Sequence, residues 1–391
     1  MPSSAPAPLE SHAVGDGRQL FPEGFGHGPG ERDAVLALLG MQGTKPLDLY
    51  RLACRVGSAT GCVRAVALGD AGSVNDRAFV AAFRPGPVRE AMRRAGARLA
   101  VPGDPDYDPG LMRLADPPVG LFVRGEPVEA GSIRVAVIGA RRPSPLGRDV
   151  ARELGRGIAA AGVVVVSGGA VGVDIAAHRG ALDAAGGTVA VLGSGIDVLY
   201  PQSNADVLRQ IARNGTVISE YPPGLPAEPR RFPARNRLIA AMARGVVVVE
   251  GGVKSGTRIT AEQALDIGIE VFAVPGPVTS PLAATPLILL REGARLIRGT
   301  VDLLDDLGID RTDTPVTYRR GLPPEERRVF EALEITMLPE AVAGVAGLSV
   351  PHAVTALIGL EMRGLVRCSA GRYERTYRPA LAVPADDHPA A

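Results

Sequence analysis

Six short runs rich in Val and other β-branched or apolar residues constrain the fold of this chain more than any other feature. Because these runs lack polar alternation, both faces of each strand must be covered, which is typical of a parallel sheet with helices on both sides. A helix-length segment follows each run except the last, so the sequence predicts an α/β domain with a doubly wound parallel sheet. The predicted strands are Val135–Ile138, Val163–Val166, Thr188–Leu192, Thr216–Ile218, Val246–Val249 and Glu270–Ala273.

The flanking regions have different patterns. Residues 31–100 are rich in Ala and Leu at helical spacing and predict a small helical domain interrupted at Gly40, Gly57 and Gly69. The sheet domain is predicted over 101–307 and a linker over 308–323. Residues 324–378 predict three short helices and a hairpin, the outline of a winged-helix domain. Residues 1–30 and 379–391 are predicted to be disordered tails.

Composition narrows the class of protein. Hydrophobic residues make up 46% and charged residues 22% of the 391 residues, as in globular proteins. The three cysteines have no metal-ligand spacing, so neither a disulfide scaffold nor a metal site is predicted, and a reducing cytoplasm is the expected location. We predict no signal peptide and no membrane segment, because the longest apolar runs fall far short of the ~20 residues that a spanning helix needs.

The overall charge of +1 conceals an uneven distribution. Residues 131–300 carry 19 basic and 13 acidic residues, a net charge of +6, whereas the rest of the chain carries 24 basic and 29 acidic residues. A near-neutral total argues against a histone-like polycation. It leaves room for a nucleic-acid surface on the sheet domain.

Glycine-rich loops follow several predicted strands, at the edge where ligands bind in sheets of this kind. The loop at 139–147 places Arg141 and Arg142 before a helix, which predicts phosphate binding; Arg141 pairing with a carboxylate is the alternative. The loop at 167–174 contains Ser167, Gly168 and Gly169, which could form a phosphate nest or simply a sharp turn. Asp174 and His178, four residues apart, favour a pair that caps the helix start over acid–base chemistry.

Three further segments complete the predicted phosphate and base contacts. A glycine turn follows the third strand, four arginines surround Phe232 at 230–237, and another glycine loop precedes a helix near Arg258. Phe232 and Tyr221 could stack on bases. The turns fit neither a dinucleotide fingerprint nor a Walker A loop, so no cofactor is predicted. The candidate residues in these segments are Gly193, Ser194, Gly195, Phe232, Arg235, Asn236, Arg237, Lys254, Ser255, Gly256 and Thr257.

Together these motifs resemble the DNA-processing protein A family (DprA, also called Smf). The similarity covers about half of the chain and rests on segments that occur in family order. They are Gly103-Asp104, Asp116-Pro117-Pro118, Leu121-Phe122, Gly125, Gly139–Arg141, Ser167–His178, Gly193–Asn204, Ser219–Gly224, Phe232–Arg237, Val248–Glu250, Ser255-Gly256, Thr260-Ala261 and Phe272–Gly276.

The resemblance implies an extended Rossmann-like domain that binds single-stranded DNA and loads the RecA recombinase onto it, in natural transformation and recombination. It further implies a homodimer, an N-terminal sterile-alpha-motif-like (SAM-like) domain and a C-terminal winged helix; single-strand-binding protein is a further candidate partner. The family's DNA-binding arginine corresponds to Arg141. Gln202 replaces a basic residue common in relatives, Ala284-Thr285-Pro286 replaces Gly-x-Asn, and Ala140 and Leu146 replace Ser and Tyr.

Two other functions compete with a non-enzymatic DNA-binding mediator. Rossmann-like enzymes that cleave nucleoside monophosphates use a Gly-Gly-x-Gly-Thr loop followed by Glu. Residues 251–257 with Glu262 resemble that pattern in part. Transcriptional regulation through the C-terminal domain is the third hypothesis. Its candidate recognition helix, 350–363, has Arg363 as its only base, which argues against strong reading of duplex DNA.

Overall fold

The structure is a computed structural model of the full chain. It describes residues 13–14, 18–19, 21–28, 30–128, 131–184, 186–253, 255–309, 323–333, 335–362 and 365–375.

Strands and helices are numbered in chain order within these described residues. The strands are β1 (Ala13–Val14), β2 (Arg18–Gln19), β3 (Ala97–Ala100), β4 (Leu121–Gly125), β5 (Arg134–Ile138), β6 (Val164–Ser167), β7 (Thr188–Leu192), β8 (Thr216–Ser219), β9 (Gly245–Val248), β10 (Glu270–Ala273), β11 (Arg295–Leu296), β12 (Val366–Ser369) and β13 (Arg372–Arg375). The α-helices are α1 (Glu31–Gly40), α2 (Pro46–Val56), α3 (Ala59–Leu68), α4 (Val74–Ala82), α5 (Pro85–Ala95), α6 (Pro145–Ala160), α7 (Val173–Asp183), α8 (Ala205–Asn214), α9 (Arg231–Ala241), α10 (Gly256–Asp266), α11 (Ala284–Arg291), α12 (Thr300–Asp306), α13 (Pro324–Ala332), α14 (Pro339–Ala346) and α15 (Val350–Met362).

Contacts group the chain into two compact units. The first unit combines residues 1–132, 189–243 and 266–268. It contains helices α1–α5, and the predicted interruptions coincide with helix ends: Gly57 and Gly69 adopt left-handed conformations that close α2 and α3. Its sheet strands follow the order β7-β8-β4-β3, in which β7 and β8 are parallel and β4 and β3 are antiparallel to their neighbours.

The second unit combines residues 133–188, 244–265 and 269–391. Its strands follow the order β11-β10-β9-β5-β6, and all of these pairs are parallel. Side chains such as Val135, Leu154 and Val247 form a core in which both sheet faces are covered. This burial explains the uninterrupted apolar runs in the sequence.

The predicted mixed α/β fold with mostly parallel strands is confirmed, and the six predicted strands are present within one residue of their expected bounds. Strands β3 and β4, which are not among the six predicted strands, are antiparallel to their neighbours. A Pro-rich connector with a short 3₁₀ turn at Pro109–Arg113 joins these two strands, and without a crossover helix they run antiparallel. The two-residue strand β11 was not predicted.

Parts of the predicted tails and linker lie outside the described residues, namely 1–12, 15–17, 20, 29, 310–322 and 379–391. Residues 21–28 differ from the predicted tail, because Phe25 is buried and the Phe21 ring lies 5.0 Å from the ring of Tyr50. At the other end, α13–α15 and the antiparallel hairpin β12–β13 enclose a small core around Phe330, Leu357 and Val366. The SAM-like and winged-helix assignments of the two flanking modules stay predictions.

Candidate nucleic-acid interface

The loop between β5 and α6 presents Arg141 and Arg142 on the surface of the second unit. Ser144 caps α6 by accepting a hydrogen bond from the backbone N–H of Gly147. The carboxylate of Glu250, just beyond β9, in turn accepts hydrogen bonds from the Ser144 backbone N–H (2.8 Å) and hydroxyl (2.6 Å). The start of α6 therefore already holds a protein carboxylate, so at this loop an anion would meet the exposed arginine side chains.

The loop after β6 is also organised by an internal carboxylate. Asp174 accepts hydrogen bonds from the backbone N–H groups of Gly168 and Ala170, at 3.2 and 3.4 Å. Ser167 is buried and donates its hydroxyl hydrogen to the Val137 carbonyl, and Gly169 is buried beside it. Thus Asp174 takes the place that a phosphate would occupy in the predicted nest.

His178 lies on the buried side of α7. Its imidazole is fully buried, and Nδ1 lies 2.8 Å from the Thr188 hydroxyl, which itself donates to the Val165 carbonyl. His178 therefore belongs to the packing of α7 on the strands.

The loop after β9 is fastened to the start of α11. Gly251 N–H donates to the Leu282 carbonyl at 2.7 Å, and the Thr285 hydroxyl donates to the Gly252 carbonyl at 2.8 Å. The hydroxyl oxygens of Ser255 and Thr285 lie 3.4 Å apart. Gly256, the first residue of α10, is exposed, and Thr257 is buried. Lys254 lies outside the described residues.

In the first unit, the loop after β7 is held by hydrogen bonds to the segment after β8. Ser194 is buried and donates its hydroxyl hydrogen to the Val198 carbonyl, while Gly195 N–H donates to the Leu225 carbonyl at 2.8 Å. Gly193 faces the Phe232 ring so closely that an added Cβ would lie 3.0 Å from it. This turn therefore forms the floor beneath Phe232.

The arginine-rich segment at 230–237 differs from the predicted exposed run. Arg230 is exposed, but Arg231, Arg235 and Arg237 are at most 6% exposed. Arg235 donates to the Val191 carbonyl inside the unit. The prediction of four surface arginines is thus corrected, and burial favours structural roles for Arg235 and Arg237. Asn236, between them, is half-buried.

Arg237 forms a buried ion network. Its guanidinium donates to both carboxylate oxygens of Glu220, at 2.8 and 2.9 Å, and to Asp116 at 3.1 Å. Burial alone would lower the pKa of Arg237, but the two carboxylates hold it above the ordinary value. The network connects the middle of α9 to the residue after β8 and to the connector before β4.

The exposed aromatic surface is formed by a different tyrosine from the one predicted. Tyr221 lies beneath the Arg231 guanidinium, 5.2 Å from it, and burial raises the pKa of its hydroxyl to about 12. Tyr200, by contrast, is 49% exposed, and its ring centre lies 5.7 Å from that of Phe232. The sequence signal for Tyr200 was its position in Tyr200-Pro201, directly after the glycine turn.

Comparison with known proteins identifies the family. The family model for DNA recombination-mediator protein A matches residues 98–308, more than half of the chain. The chain belongs to this family. A relative named DprA in Mycobacterium tuberculosis is 39% identical over 305 residues, covering 73% of this chain and 78% of the relative. Protein Smf of Escherichia coli is 35% identical over 290 residues, covering 71% and 77% respectively.

A solved structure agrees with this assignment to the DprA family. The X-ray structure of DprA from Streptococcus pneumoniae matches 70% of this chain and 97% of that chain, with a TM-score of 0.56 and 30% sequence identity. The positions where this DprA-family chain departs from the family pattern have defined places. Gln202 and Leu146 are exposed, whereas Thr285 is fully buried at the start of α11.

The described residues contain no cluster of three or more His, Cys, Asp or Glu side chains that could hold a metal ion. No single helix in the same part of the chain is long and apolar enough to cross a membrane. The bent pair α14–α15 meets the criteria of length and composition only when its two halves, which meet at 104°, are combined.

Proposed function

We propose that this DprA-family protein binds single-stranded DNA and loads the RecA recombinase onto it, without itself catalysing a reaction. The observation that carries the proposal is the ring pair of Tyr200, which is 49% exposed, and Phe232, which is partly buried above the glycine turn at Gly193. Unpaired bases can stack on such rings, whereas bases inside a duplex already stack on one another. The ring pair therefore favours a single strand over a duplex.

The charge distribution supports the same ligand. Arg141 and Arg142 are exposed in the second unit, and Arg230 is exposed in the first unit beside Phe232. Arginine side chains can contact the phosphates of any sequence, so we expect affinity without strong base preference. Phosphate contacts release counterions, and affinity should therefore fall steeply as salt rises.

Fluorescence anisotropy of labelled oligonucleotides over a range of salt concentrations tests DNA binding. We expect tight, salt-dependent binding of single strands and much weaker binding of the matching duplex. A preference for the duplex, or an affinity that does not change with salt concentration, would contradict the proposal. Recombinase loading is measured separately, as the rate of RecA filament assembly on single strands coated with single-strand-binding protein, with and without this protein.

An enzymatic role on nucleoside monophosphates receives no support from the loop that suggested it. The Glu262 carboxylate, half exposed on α10, accepts a hydrogen bond from Arg258 one turn earlier. A catalytic carboxylate would have to reach the substrate at the strand ends. Incubation of the protein with nucleoside monophosphates should release no free base.

The remaining parts of the proposal concern assembly and location. We propose a cytoplasmic homodimer with SAM-like and winged-helix modules at its two ends. Light scattering coupled to size exclusion measures the dimer. Helix α15, which would be the recognition helix of the C-terminal module, contains no Lys or Arg. We therefore assign that module no duplex-reading role, and duplex binding by the full chain would contradict this assignment.

A further inference from the structure

Three exposed aliphatic side chains follow three adjacent parallel strands of the second unit. Leu146 follows β5, Val253 follows β9 and Val278 follows β10, and these side chains are 54%, 58% and 86% exposed. Strand β9 pairs with both β5 and β10, so the carboxyl ends of the three strands lie side by side. Large aliphatic groups exposed in the loops of a ligand-binding edge indicate a contact surface.

Close contacts connect the three loops that carry these side chains. An added Cβ on Gly147, next to Leu146, would lie 2.3 Å from the Glu250 side chain, so the starts of α6 and of the β9 loop touch. The β9 loop continues through Gly251, whose N–H donates to Leu282. Gly276 of the β10 loop packs against Ala283 in the same way, with an added Cβ 2.9 Å from it.

The charged residues of these three loops indicate the kind of ligand that this surface would bind. Among the described residues, the loops at 139–147, 249–256 and 274–283 contain two basic residues, Arg141 and Arg142, and a single acid, Glu250. The Glu250 carboxylate is engaged by Ser144. A surface that combines cationic and aliphatic side chains, with its one carboxylate held internally, complements a ligand with both phosphates and apolar faces. An unpaired nucleic-acid strand has both.

We propose that Leu146, Val253 and Val278 form a base-packing strip that extends the path of single-stranded DNA across the ends of β5, β9 and β10. The inference rests on the proposed DNA-binding function. It adds three aliphatic contacts to the residues predicted from the sequence. Aliphatic side chains pack against the face of any base, so the strip adds affinity without sequence preference, and this contribution is independent of salt.

The test uses the full chain with Val253→Ser and Val278→Ser combined. The control combines Val74→Ser and Val345→Ser, at two valines that are 80% and 64% exposed and lie outside the glycine loops. Both sites are on the surface, so the melting temperature should stay unchanged in both variants. Binding of a long oligothymidylate is measured by anisotropy over a range of salt concentrations.

We expect the strip variant to bind about three- to tenfold more weakly than the wild type, with an unchanged slope of log affinity against log salt. The control variant should bind as the wild type does. Wild-type affinity in the strip variant, together with weakened binding by Arg141→Ala, would overturn the strip and leave the proposed function standing. That result would also be the outcome if the strip served a protein partner. Absence of single-strand binding by the wild type would instead overturn the proposed function.

Discussion

Arg237 and Glu220 form a bidentate ion pair inside the first unit, with N–O distances of 2.8 and 2.9 Å. The Arg237 side chain is 8% exposed and that of Glu220 is 13% exposed. Asp116 completes the network. Because α9 begins at Arg231, this buried pair holds the helix that carries Phe232 in place.

Replacing Arg237 with Ala should destabilise the protein strongly, because it leaves two carboxylates without their cation in a buried site. Breaking a buried pair by removing one partner costs about 3–5 kcal/mol. Urea unfolding followed by circular dichroism measures the loss. Arg298→Ala is the matched control, since its ion pair with Asp302 is solvent-exposed, and it should leave the unfolding midpoint almost unchanged. Equal stabilities for the two variants would contradict a structural role for Arg237.

Asp76 should make the stability of the N-terminal helical module depend on pH. Burial alone would raise its pKa, but hydrogen bonds from Ser73, Gly43 and Thr44 lower it below the ordinary value of an aspartate. A carboxyl group whose pKa is lowered by folding stabilises the protein above its unfolded pKa, and this contribution is lost as the pH falls through the folded pKa. Asp76→Asn should lower the free energy of unfolding at neutral pH and make it fall less steeply as the pH is lowered. Urea unfolding between neutral and acidic pH measures both effects. If the free energy of unfolding of the variant fell as steeply with decreasing pH as that of the wild type, groups other than Asp76 would cause the acid dependence.

The strands and glycine turns could be predicted from the sequence because they depend on local requirements. A Val run such as Val246–Val249 indicates a strand covered on both faces wherever it occurs. The exposure of an arginine depends instead on distant partners. Asp116 is separated from Arg237 by 121 positions, and Glu250 from Ser144 by 106. No local pattern could show that these carboxylates occupy sites predicted for phosphates, or that Tyr200 would replace Tyr221 beside Phe232.

Tyr200→Ala should weaken single-strand binding through the loss of base stacking. Stacking on an aromatic side chain contributes about 1–3 kcal/mol per base, which corresponds to roughly a 5- to 150-fold loss of affinity. The salt dependence should not change, because no phosphate contact is removed. Tyr200→Phe keeps the ring and should bind as the wild type does. Equal weakening by both substitutions would assign the effect to the hydroxyl group rather than to stacking.

Replacing both Arg141 and Arg142 with Ala should change the salt dependence. For single strands, each lost phosphate contact reduces the slope of log affinity against log salt by about 0.7. The double variant should therefore bind more weakly at low salt and show a shallower slope, for every base sequence. Arg179, exposed on α7, provides the control, and Arg179→Ala should keep the wild-type slope. An unchanged slope in the double variant would remove this loop from the binding surface.

Glu250→Ala should have opposite effects on stability and on DNA binding. The substitution leaves the Ser144 N–H and hydroxyl without their acceptor at the start of α6, which should lower stability by about 1 kcal/mol. It also removes the single acidic residue from the three loops that carry the base-packing strip and leaves the start of α6 open to a phosphate. Affinity for single strands should therefore rise severalfold. Glu250→Gln separates the two effects, since it keeps a hydrogen-bond acceptor but removes the charge. Urea unfolding and anisotropy measure the two quantities, and a fall in both for the Ala variant would mean that the loop's shape, held by Glu250, matters more for binding than its charge.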